Sequence, residues 1–383
     1  MSFDFVVLGA TGMQGKIVSR DLLENKFSVL LCGRDKSRVE HILRKYKKCR
    51  FEYFDIRDTQ KSINTIKNSK AKVVANCMEG DWNLLALQSC IKANASIIDL
   101  GSEIPMTKEQ FSLDSELKNK NLISITGCGS VPGVGNVMLN YVSEKLDSID
   151  TIEVGFSWDS NIKKFVVPFS IQSIIEEFTD PAPIVAKTKF INKIPLNSII
   201  EDHHRGIGKQ KEFFVRHPET YTFYKYFKNK GVKNIRFYAG FPQHSFEKIV
   251  SMIDLGFGSK EEILFKGVKI IPVEFLTEVL KKLKIPKGYK EKENLWVYVY
   301  GKKDKKDKDI FMECIVPTLK GWEDAGCNID TGMPASIMAQ FILNGTITKR
   351  GSFAPEAAVP PIPFFKELRK RKMIIYENGK IIN

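Results

Sequence analysis

The stretch Phe3-Asp4-Phe5-Val6-Val7-Leu8-Gly9-Ala10-Thr11-Gly12-Met13-Gln14-Gly15 decides the fold of this 383-residue chain. Its apolar first half predicts a buried strand, and residues 16–23 that follow it have the pattern of a helix. Glycines between a strand and a helix let the backbone approach a pyrophosphate, which the free N–H groups of the helix N-terminus bind. A glycine turn in an α/β protein without a nucleotide is the alternative. The residues predicted to contact a dinucleotide here are Gly9, Thr11, Gly12, Met13, Gln14 and Gly15.

The rest of the chain divides into two kinds of pattern. Strand-like and helix-like segments alternate through residues 1–125, which predicts an N-terminal Rossmann domain with a doubly wound parallel sheet. From Thr151 onward strand-like segments dominate, which predicts a second, mixed α+β domain with a largely antiparallel sheet. We therefore expect a dinucleotide-binding domain over 1–133, a second domain over 134–329, and a C-terminal helix and tail over 330–383 that return to the first domain.

Composition limits the class of protein. The formal net charge is +14, but the lysines are dispersed, and the densest run, 302–309, mixes both signs. We therefore expect no nucleic-acid partner. No apolar stretch is long enough to span a bilayer and no signal peptide is evident, so we expect no membrane partner and a cytoplasmic location. The seven cysteines are scattered without a CxxC pair, so we predict neither a disulfide framework nor a metal site.

The end of the second predicted strand bears on the choice between NAD and NADP. NAD-specific sites usually carry an acid there that binds the ribose 2′-hydroxyl, whereas this strand ends Cys32-Gly33-Arg34. The Arg34 guanidinium has the geometry to pair with a 2′-phosphate, and Arg38 lies one helical turn further on. Asp35 is an acid next to Arg34 that could bind the ribose hydroxyls, as an acid does in NAD-specific sites. The sequence favours NADP over NAD.

Other predicted strands also end in polar or reactive residues at the edge where ligands bind. Asp55 ends the third strand, and we predict that it lies beside the adenine or caps the next helix. Cys77 and Met78 follow the fourth strand, where the chain passes the nicotinamide ribose. Asp99 and Glu103 lie at the end of the fifth strand. We predict that these two carboxylates either transfer protons or orient an amine, or that both serve as structural caps or turn residues.

A second glycine-rich loop and two basic segments provide the remaining candidates. The loop Gly127–Gly133 opens a helix, and Cys128 within it is a candidate catalytic thiol, because a helix N-terminus lowers a thiol pKa. Histidine and arginine neighbours suit a substrate that carries carboxylates. The catalytic candidates are Asp99, Cys128 and His217, and the candidate substrate-binding residues are Glu103, His204, Arg205 and Arg216.

The order of these elements resembles the saccharopine dehydrogenase (saccharopine reductase) family, including its lysine 6-dehydrogenase-like members. The resemblance implies NAD(P)-dependent oxidation or reduction at a carbon–nitrogen bond of an amino acid, usually by a homodimer with a separate substrate domain. Saccharopine-forming members often carry an acid just before the Pro132-Gly133 turn, and its absence favours a lysine 6-dehydrogenase-like relative. The elements that carry the resemblance are Gly9–Gly15, Gly33-Arg34, 97–101, 129–133, 216–219, 331–335, Gly351 and Pro355-Glu356.

We therefore predict hydride transfer between a nicotinamide and a carbon that bears an amine, with the substrate between the Rossmann sheet edge and the second domain. Two alternatives share the glycine-rich opening. Short-chain-type reductases are disfavoured, because they need a Tyr-x-x-x-Lys catalytic pair after the fourth strand, and we expect none in residues 76–150. A non-catalytic NADP-binding protein with a regulatory or redox-sensing role remains the second alternative.

Overall fold

Residues 2–167 and 171–383, which the computed structural model describes, form two large sheets and one small hairpin. The strands are β1 (Phe5–Leu8), β2 (Val29–Gly33), β3 (Cys49–Tyr53), β4 (Val73–Asn76), β5 (Ser96–Asp99), β6 (Ile123–Ile125), β7 (Ser148–Ser160), β8 (Ala182–Ala186), β9 (Lys189–Lys193), β10 (Ile200–His204), β11 (Gly208–Phe214), β12 (Asn234–Phe241), β13 (Ile263–Phe265), β14 (Val268–Ile270), β15 (Glu291–Lys303), β16 (Lys306–Pro317), β17 (Gly351–Phe353), β18 (Ile374–Glu377) and β19 (Lys380–Ile381).

Helices connect these strands. In chain order they are α1 (Met13–Glu24), α2 (Glu40–Lys45), α3 (Thr59–Ser69), α4 (Asn83–Ala93), α5 (Ile104–Ser112), α6 (Asp114–Asn119), α7 (Val134–Ser143), α8 (Ile171–Thr179), α9 (Glu219–Phe227), α10 (Gln243–Asp254), α11 (Pro272–Leu280), α12 (Ile329–Leu343), α13 (Pro355–Ala358) and α14 (Pro361–Lys370).

The first sheet has seven strands in the order β17-β6-β5-β4-β1-β2-β3, and every neighbouring pair is parallel. Its central strands are buried along their whole length, as the apolar runs Phe5–Leu8 and Val29–Gly33 predict for a sheet covered on both faces. The six strands predicted from the sequence are all present, and the prediction of a Rossmann domain is confirmed. All strands enter from one side, so their carboxyl ends share one edge.

The C-terminal segment is divided between the two sheets. Helix α12 packs on α1, β4 and β5, and β17 extends the first sheet beside β6, so this part returns to the first domain as predicted. The hairpin of β18 and β19 instead pairs with β16 in the second sheet. The predicted return of the whole of 330–383 to the first domain does not extend to this hairpin, because β18 pairs with β16 and its Ile375 is buried opposite Cys314.

The second sheet follows the order β10-β11-β12-β7-β15-β16-β18-β19, with β8 and β9 attached at β12. Only β7 and β12 pair in parallel among its described neighbours, so the prediction of a largely antiparallel second domain is confirmed. One face carries the core, where aromatic side chains pack edge to face or tilted. These core aromatics include Phe156, Phe178, Phe213, Phe241 and Phe246.

Candidate functional site

Gly9 and Gly12 shape the turn between β1 and α1. Gly9 has a φ of +71°, and a Cβ there would lie 2.8 Å from the carbonyl oxygen of Cys77, so no side chain fits without a backbone shift. Helix α1 starts at Met13, and Gly12 supplies no side-chain cap to its first N–H groups. These groups lie at the positive end of the helix dipole and can bind phosphate oxygens.

A cavity of about 290 Å³, the arginine cavity, opens beside this turn at the carboxyl edge of the first sheet. Arg34, Arg38 and Arg57 line it together with Gly9 and Gly12. Among the residues that the structure describes, neither Arg34 nor Arg38 has a hydrogen-bond or ion-pair partner. Guanidinium groups beside a phosphate-binding turn fit the 2′-phosphate of NADP.

The structure brings most of the predicted cofactor residues together in this cavity. Gln14 lines a second cavity instead, the side chain of Met13 is 48% exposed, and Gly15 packs against the Gly9 carbonyl, where a Cβ would overlap it. The predicted residues that line the arginine cavity are Gly9, Thr11, Gly12, Arg34, Asp55, Cys77 and Met78.

Two side chains near the arginine cavity have roles that sequence reasoning left open or missed. Arg57 forms a two-pronged pair with Asp55, at 2.9 Å from Nε to Oδ1 and 2.5 Å from Nη2 to Oδ2. This hydrogen bonding lowers the pKa of Asp55 to about 2. Asp35 accepts from the Ser37 N–H at 2.9 Å and does not line the cavity, so it acts as a helix cap. Arg57 was not among the predicted residues, although the spacing Asp55-x-Arg57 after a strand is a signal in the sequence that could have identified it.

A second cavity, of about 210 Å³, lies between the domain of the first sheet and the domain of the second sheet. We call it the acidic cavity. The first turn of α1 supplies Gln14, and the glycine-rich loop before α7 supplies Ser130 and Val131. From the second sheet, Phe156 and Trp158 on β7 form an aromatic wall. Because Gln14 follows the phosphate-binding turn directly, one short segment contributes to both cavities.

Four carboxyl side chains line the acidic cavity: Glu177 on α8, Glu291 and Glu293 on β15, and Asp330 on α12. Among the described lining residues there is no lysine or arginine. Burial raises the pKa of Glu177 to about 8 and that of Asp330 to about 6. Burial, and then the neighbouring Asp330, raise the pKa of Glu293 well above its usual range. Burial raises the pKa of Glu291 as well.

His217 also lines the acidic cavity and is held in one orientation. Its ring stacks on Phe237 with 3.9 Å between centroids and an angle of 11° between planes, and its Nδ1 lies 3.1 Å from Oε2 of buried Glu219. Burial opposes its charge, but the carboxylates of Glu219, Glu177 and Glu103 outweigh this effect and raise the pKa of His217. With Nδ1 engaged, Nε2 is the ring nitrogen left for a substrate, an arrangement suited to proton transfer.

Glu103 and Arg216 are brought together as an ion pair between the two domains. The Arg216 Nε lies 2.9 Å from Glu103 Oε2, and its Nη2 lies 3.1 Å from Asp180 Oδ2. Neither Glu103 nor Arg216 lines the acidic cavity. The guanidinium is already shared by two carboxylates, so the pair connects α5 of the first domain to the second domain.

Asp99 and Cys128 lie beneath the ligand-binding edge and line neither cavity. Asp99 accepts from the N–H groups of Gly101 and Gly127, from Thr126 Oγ1 and from Gln110 Nε2 at 2.6 to 3.2 Å. These bonds fix the glycine-rich loop to β5, while burial raises the pKa of Asp99. Burial also raises the pKa of the fully buried Cys128 thiol, the opposite of what an attacking thiolate needs.

The structure places His204 and Arg205 away from both cavities. Ser157 precedes Trp158 on β7, so it faces the other side of the sheet, where it donates to Glu212. His204 Nε2 lies 2.6 Å from Glu212 Oε1 on that far side, with Asp202 also nearby, and Arg205 pairs with Glu313. His204 therefore lies buried on the face of the second sheet opposite the acidic cavity, and Arg205 follows the end of β10, so the structure brings neither of these predicted substrate-binding residues into a cavity.

A Tyr-x-x-x-Lys pair does occur, at Tyr141 and Lys145, but it is not placed for catalysis. The Tyr141 hydroxyl lies 3.1 Å and Lys145 Nζ 2.6 Å from Glu377 in the β18–β19 hairpin. Neither residue lines the arginine cavity or the acidic cavity. The pair therefore ties α7 to the hairpin, which agrees with the rejection of a short-chain-type reductase.

In the ranges 2–167 and 171–383, none of the helices combines the length and apolar character required to cross a membrane. Comparisons with known proteins agree along nearly the whole chain. Residues 5–125 match the saccharopine dehydrogenase NADP binding domain, and residues 128–374 match the saccharopine dehydrogenase C-terminal domain.

Two known proteins are similar over their full lengths. The carboxyaminopropylagmatine dehydrogenase of Synechocystis sp. is 22% identical over 382 residues, which is 95% of this chain and 94% of that protein. The structure of saccharopine dehydrogenase (L-Glu forming) from Saccharomyces cerevisiae superimposes with a TM-score of 0.79 at 12% identity, covering 100% of both chains. The chain therefore belongs to the saccharopine dehydrogenase family of NAD(P)-dependent oxidoreductases.

Proposed function

We propose that this protein catalyses oxidation or reduction at a carbon–nitrogen bond of an amino acid in the acidic cavity, with NADP as the preferred cofactor. The observation that carries the proposal is that one short segment lines both cavities. Gly12 lines the arginine cavity and Gln14, two residues later, lines the acidic cavity. A cofactor bound along this turn therefore has its reactive end directed to the acidic cavity.

The preference for NADP rests on the donor set of the arginine cavity. Arg34 and Arg38 have no partner among the described residues, and Arg57 is held in place by Asp55. Asp35, the acid nearest the end of β2, is bonded to Ser37. A 2′-phosphate at the end of β2 would thus meet the guanidinium groups, which favours its binding, while Glu79, a further carboxylate that lines the cavity, follows β4.

The protein's part in the reaction is to bind, orient and move a proton. Oxidation of a CH–NH centre to C=N removes a hydride from carbon and a proton from nitrogen. The nicotinamide, when bound, supplies the hydride chemistry. We assign the proton to His217 Nε2, because Glu219 fixes the ring and the raised pKa suits a group that both accepts and returns a proton. Asp99 and Cys128 receive no chemical role and hold the loop.

The substrate is the open part of this proposal. The two similar proteins are named for saccharopine and for carboxyaminopropylagmatine. We propose a lysine-like or saccharopine-like amino acid with a carbon–nitrogen bond at the reacting position. Because these two proteins are only 22% and 12% identical to this chain, turnover assays must identify the rest of the substrate molecule.

The test has two stages with purified protein. Fluorescence titration with NADPH and with NADH comes first, and we expect tighter binding of NADPH. Absorbance of NADPH at 340 nm then follows turnover with a panel of amino acids and amines, alone and with oxo acids. Failure to bind either dinucleotide would refute the proposal. Tight NADPH binding with no turnover of any member would favour a non-catalytic, regulatory or redox-sensing NADP-binding protein.

We also propose that the protein is a homodimer, as the resemblance implies. Aromatic rings on the outer face of the second sheet support this. Phe214 and Tyr238 lie 4.9 Å apart between centroids, Tyr238 and Trp296 5.6 Å, and Trp296 and Phe311 6.3 Å. Tyr238 and Trp296 are buried within the single chain, while Phe214 and Phe311 beside them are partly exposed, and aromatic residues are enriched where a second copy covers a surface. Light scattering at micromolar concentration should give twice the chain mass, and Phe311→Glu should give the monomer.

A further inference from the structure

The composition of the acidic cavity points to the charge of its ligand. Four carboxyl groups and one histidine line it, and the described lining residues include no lysine or arginine. This is unusual in a chain with 59 lysines and arginines against 45 acids. A cavity that gathers acids from three separate elements in so basic a chain is suited to a ligand of opposite charge.

Unpartnered polar atoms around the cavity define what the ligand must offer. Among the described residues, Gln14 Oε1 and Glu177 Oε2 are buried acceptors without a hydrogen-bond donor. Trp158 is 4% exposed, and its Nε1–H is a buried donor that has no acceptor within the same part of the chain. Buried polar groups are rarely left unpaired in proteins, so each marks a position where a bound molecule completes the bonding. The ligand must therefore bring at least two donors and one acceptor.

The acids form two groups within the cavity. Glu293 and Asp330 are close enough to share a proton, and Glu291 lies two residues before Glu293 on the same face of β15. Glu177 lies on α8 beside His217. The aromatic rings of Phe156 and Trp158 line the same cavity. Carboxylates together with aromatic faces are the usual surroundings of a bound ammonium or guanidinium group.

We propose that the acidic cavity binds a substrate with a cationic end, an alkylammonium or a guanidinium, between Glu291, Glu293 and Asp330. Trp158 Nε1–H donates to an acceptor of the same substrate, such as its carboxylate, and Glu177 and Gln14 accept from its amine. This inference rests on the proposed function, since it names the substrate class of that site. A substrate chain that ends in a carboxylate at this position would place like charges together, so the site selects the lysine-like over the saccharopine-like substrate.

Binding and proton release test the inference without requiring turnover. In the presence of NADP, calorimetric titrations compare L-lysine, L-arginine and agmatine with the uncharged norleucine and with L-glutamate. We expect the cationic compounds to bind at least tenfold more tightly than norleucine, and L-glutamate not to bind. Titration in two buffers of different ionisation enthalpy should show proton release, because a bound cation favours the ionised carboxyls. Lysine and agmatine separate ammonium from guanidinium preference.

Variants of single carboxyl residues test which side chains bind the cation. Glu293→Gln and Asp330→Asn keep the side-chain volume and should each weaken cation binding at least tenfold and reduce proton release, with NADPH affinity unchanged. Glu278→Gln, which removes the same charge from an exposed ion pair with Lys281 on α11, is the matched control and should change neither. Equal binding of norleucine and lysine, or unchanged cation affinity in both cavity variants, would overturn the inference.

The outcomes separate this inference from the proposed function. Turnover of only neutral or anionic substrates would refute the cationic end and leave the dehydrogenase intact. Selective cation binding that is lost in Glu293→Gln, without turnover of any compound, would support the cationic site and refute the catalytic proposal. Melting temperatures of the variants, measured beside the wild type, exclude unfolding as the cause of lost binding.

Discussion

The arginine cavity and the acidic cavity are neighbours of similar size, about 290 and about 210 Å³, with opposite charge. The first is lined by three guanidinium groups, which stay charged at every accessible pH. The second is lined by carboxyl groups whose pKa values burial raises to about 8 at Glu177 and about 6 at Asp330. One cavity therefore has a fixed charge, and the charge of the other depends on pH and on its ligand.

The largest expected effect is a loss of catalytic rate when His217 in the acidic cavity is replaced. His217→Gln keeps a side chain of similar length but cannot take up a proton at neutral pH. We expect kcat to fall by about 10²- to 10⁴-fold, the usual contribution of a general acid–base group. The dissociation constant of NADPH should stay within twofold, because His217 does not line the arginine cavity. A parallel loss of NADPH binding would show that the two cavities do not act separately.

The second prediction concerns the permanent positive charge of the arginine cavity. Arg34→Ala removes a guanidinium that has no partner in the described structure. We expect the dissociation constant of NADPH to rise about 10- to 100-fold, the value of a hydrogen-bonded charge pair, and that of NADH to change by less than twofold. Arg44→Ala is the control, because Arg44 pairs with Glu40 at the surface outside the cavity. Equal losses for both cofactors would contradict binding of the 2′-phosphate.

The third prediction concerns the pH-dependent negative charge of the acidic cavity. A carboxyl binds a cation only when ionised, so a bound cation lowers its pKa and affinity rises as pH rises through the free-state values. For a cationic substrate we expect KM to fall between pH 5.5 and 8.5, by at most about tenfold per pH unit for each carboxyl, through about 6 for Asp330 and about 8 for Glu177. A KM that rises with pH would contradict this assignment. The other titratable groups that face the cavity are Glu291, Glu293, His217 and Cys327.

The smallest expected effect is at the connection between the domains. Arg216→Met removes the pairs with Glu103 and Asp180, whose side chains are partly exposed. Partly exposed ion pairs contribute little, so we expect the melting temperature to fall by only about 1–3 °C, with kcat/KM reduced about two- to fivefold. Differential scanning fluorimetry and steady-state kinetics measure the two effects. A loss as large as that of His217→Gln would place Arg216 in the site itself.

The two cavities differ in how far the sequence predicts them. The arginine cavity follows from local order, because a glycine turn, a strand end and Arg34 are enough to locate it. The acidic cavity assembles Glu177, Glu293 and Asp330 from segments more than thirty residues apart, and no local pattern brings these together. A signal was present at Glu291-Lys292-Glu293, since alternate residues of a strand share a face.

Errors at other positions have the same physical origin. His204 and Arg205 have the chemistry for a substrate site, but which face of β10 they occupy depends on strand register, which the sequence does not specify. Cys128 lies in the glycine-rich loop, six residues before α7 begins at Val134, and the loop turns its thiol into the core. The fold of the first domain was predictable because its alternation is regular, whereas the split of the C-terminal segment depended on contacts between distant strands.

The return of the chain to its first sheet bears on the order in which the protein can fold during synthesis. Residues 5–125 supply six strands, but α12, which packs on α1, and β17, which completes the edge, follow about two hundred residues later. The nascent first sheet therefore leaves the ribosome with apolar surface that only the last segment covers. A chain truncated before residue 329 should aggregate or require a chaperone, while adding α12 and β17 through a short linker should restore solubility.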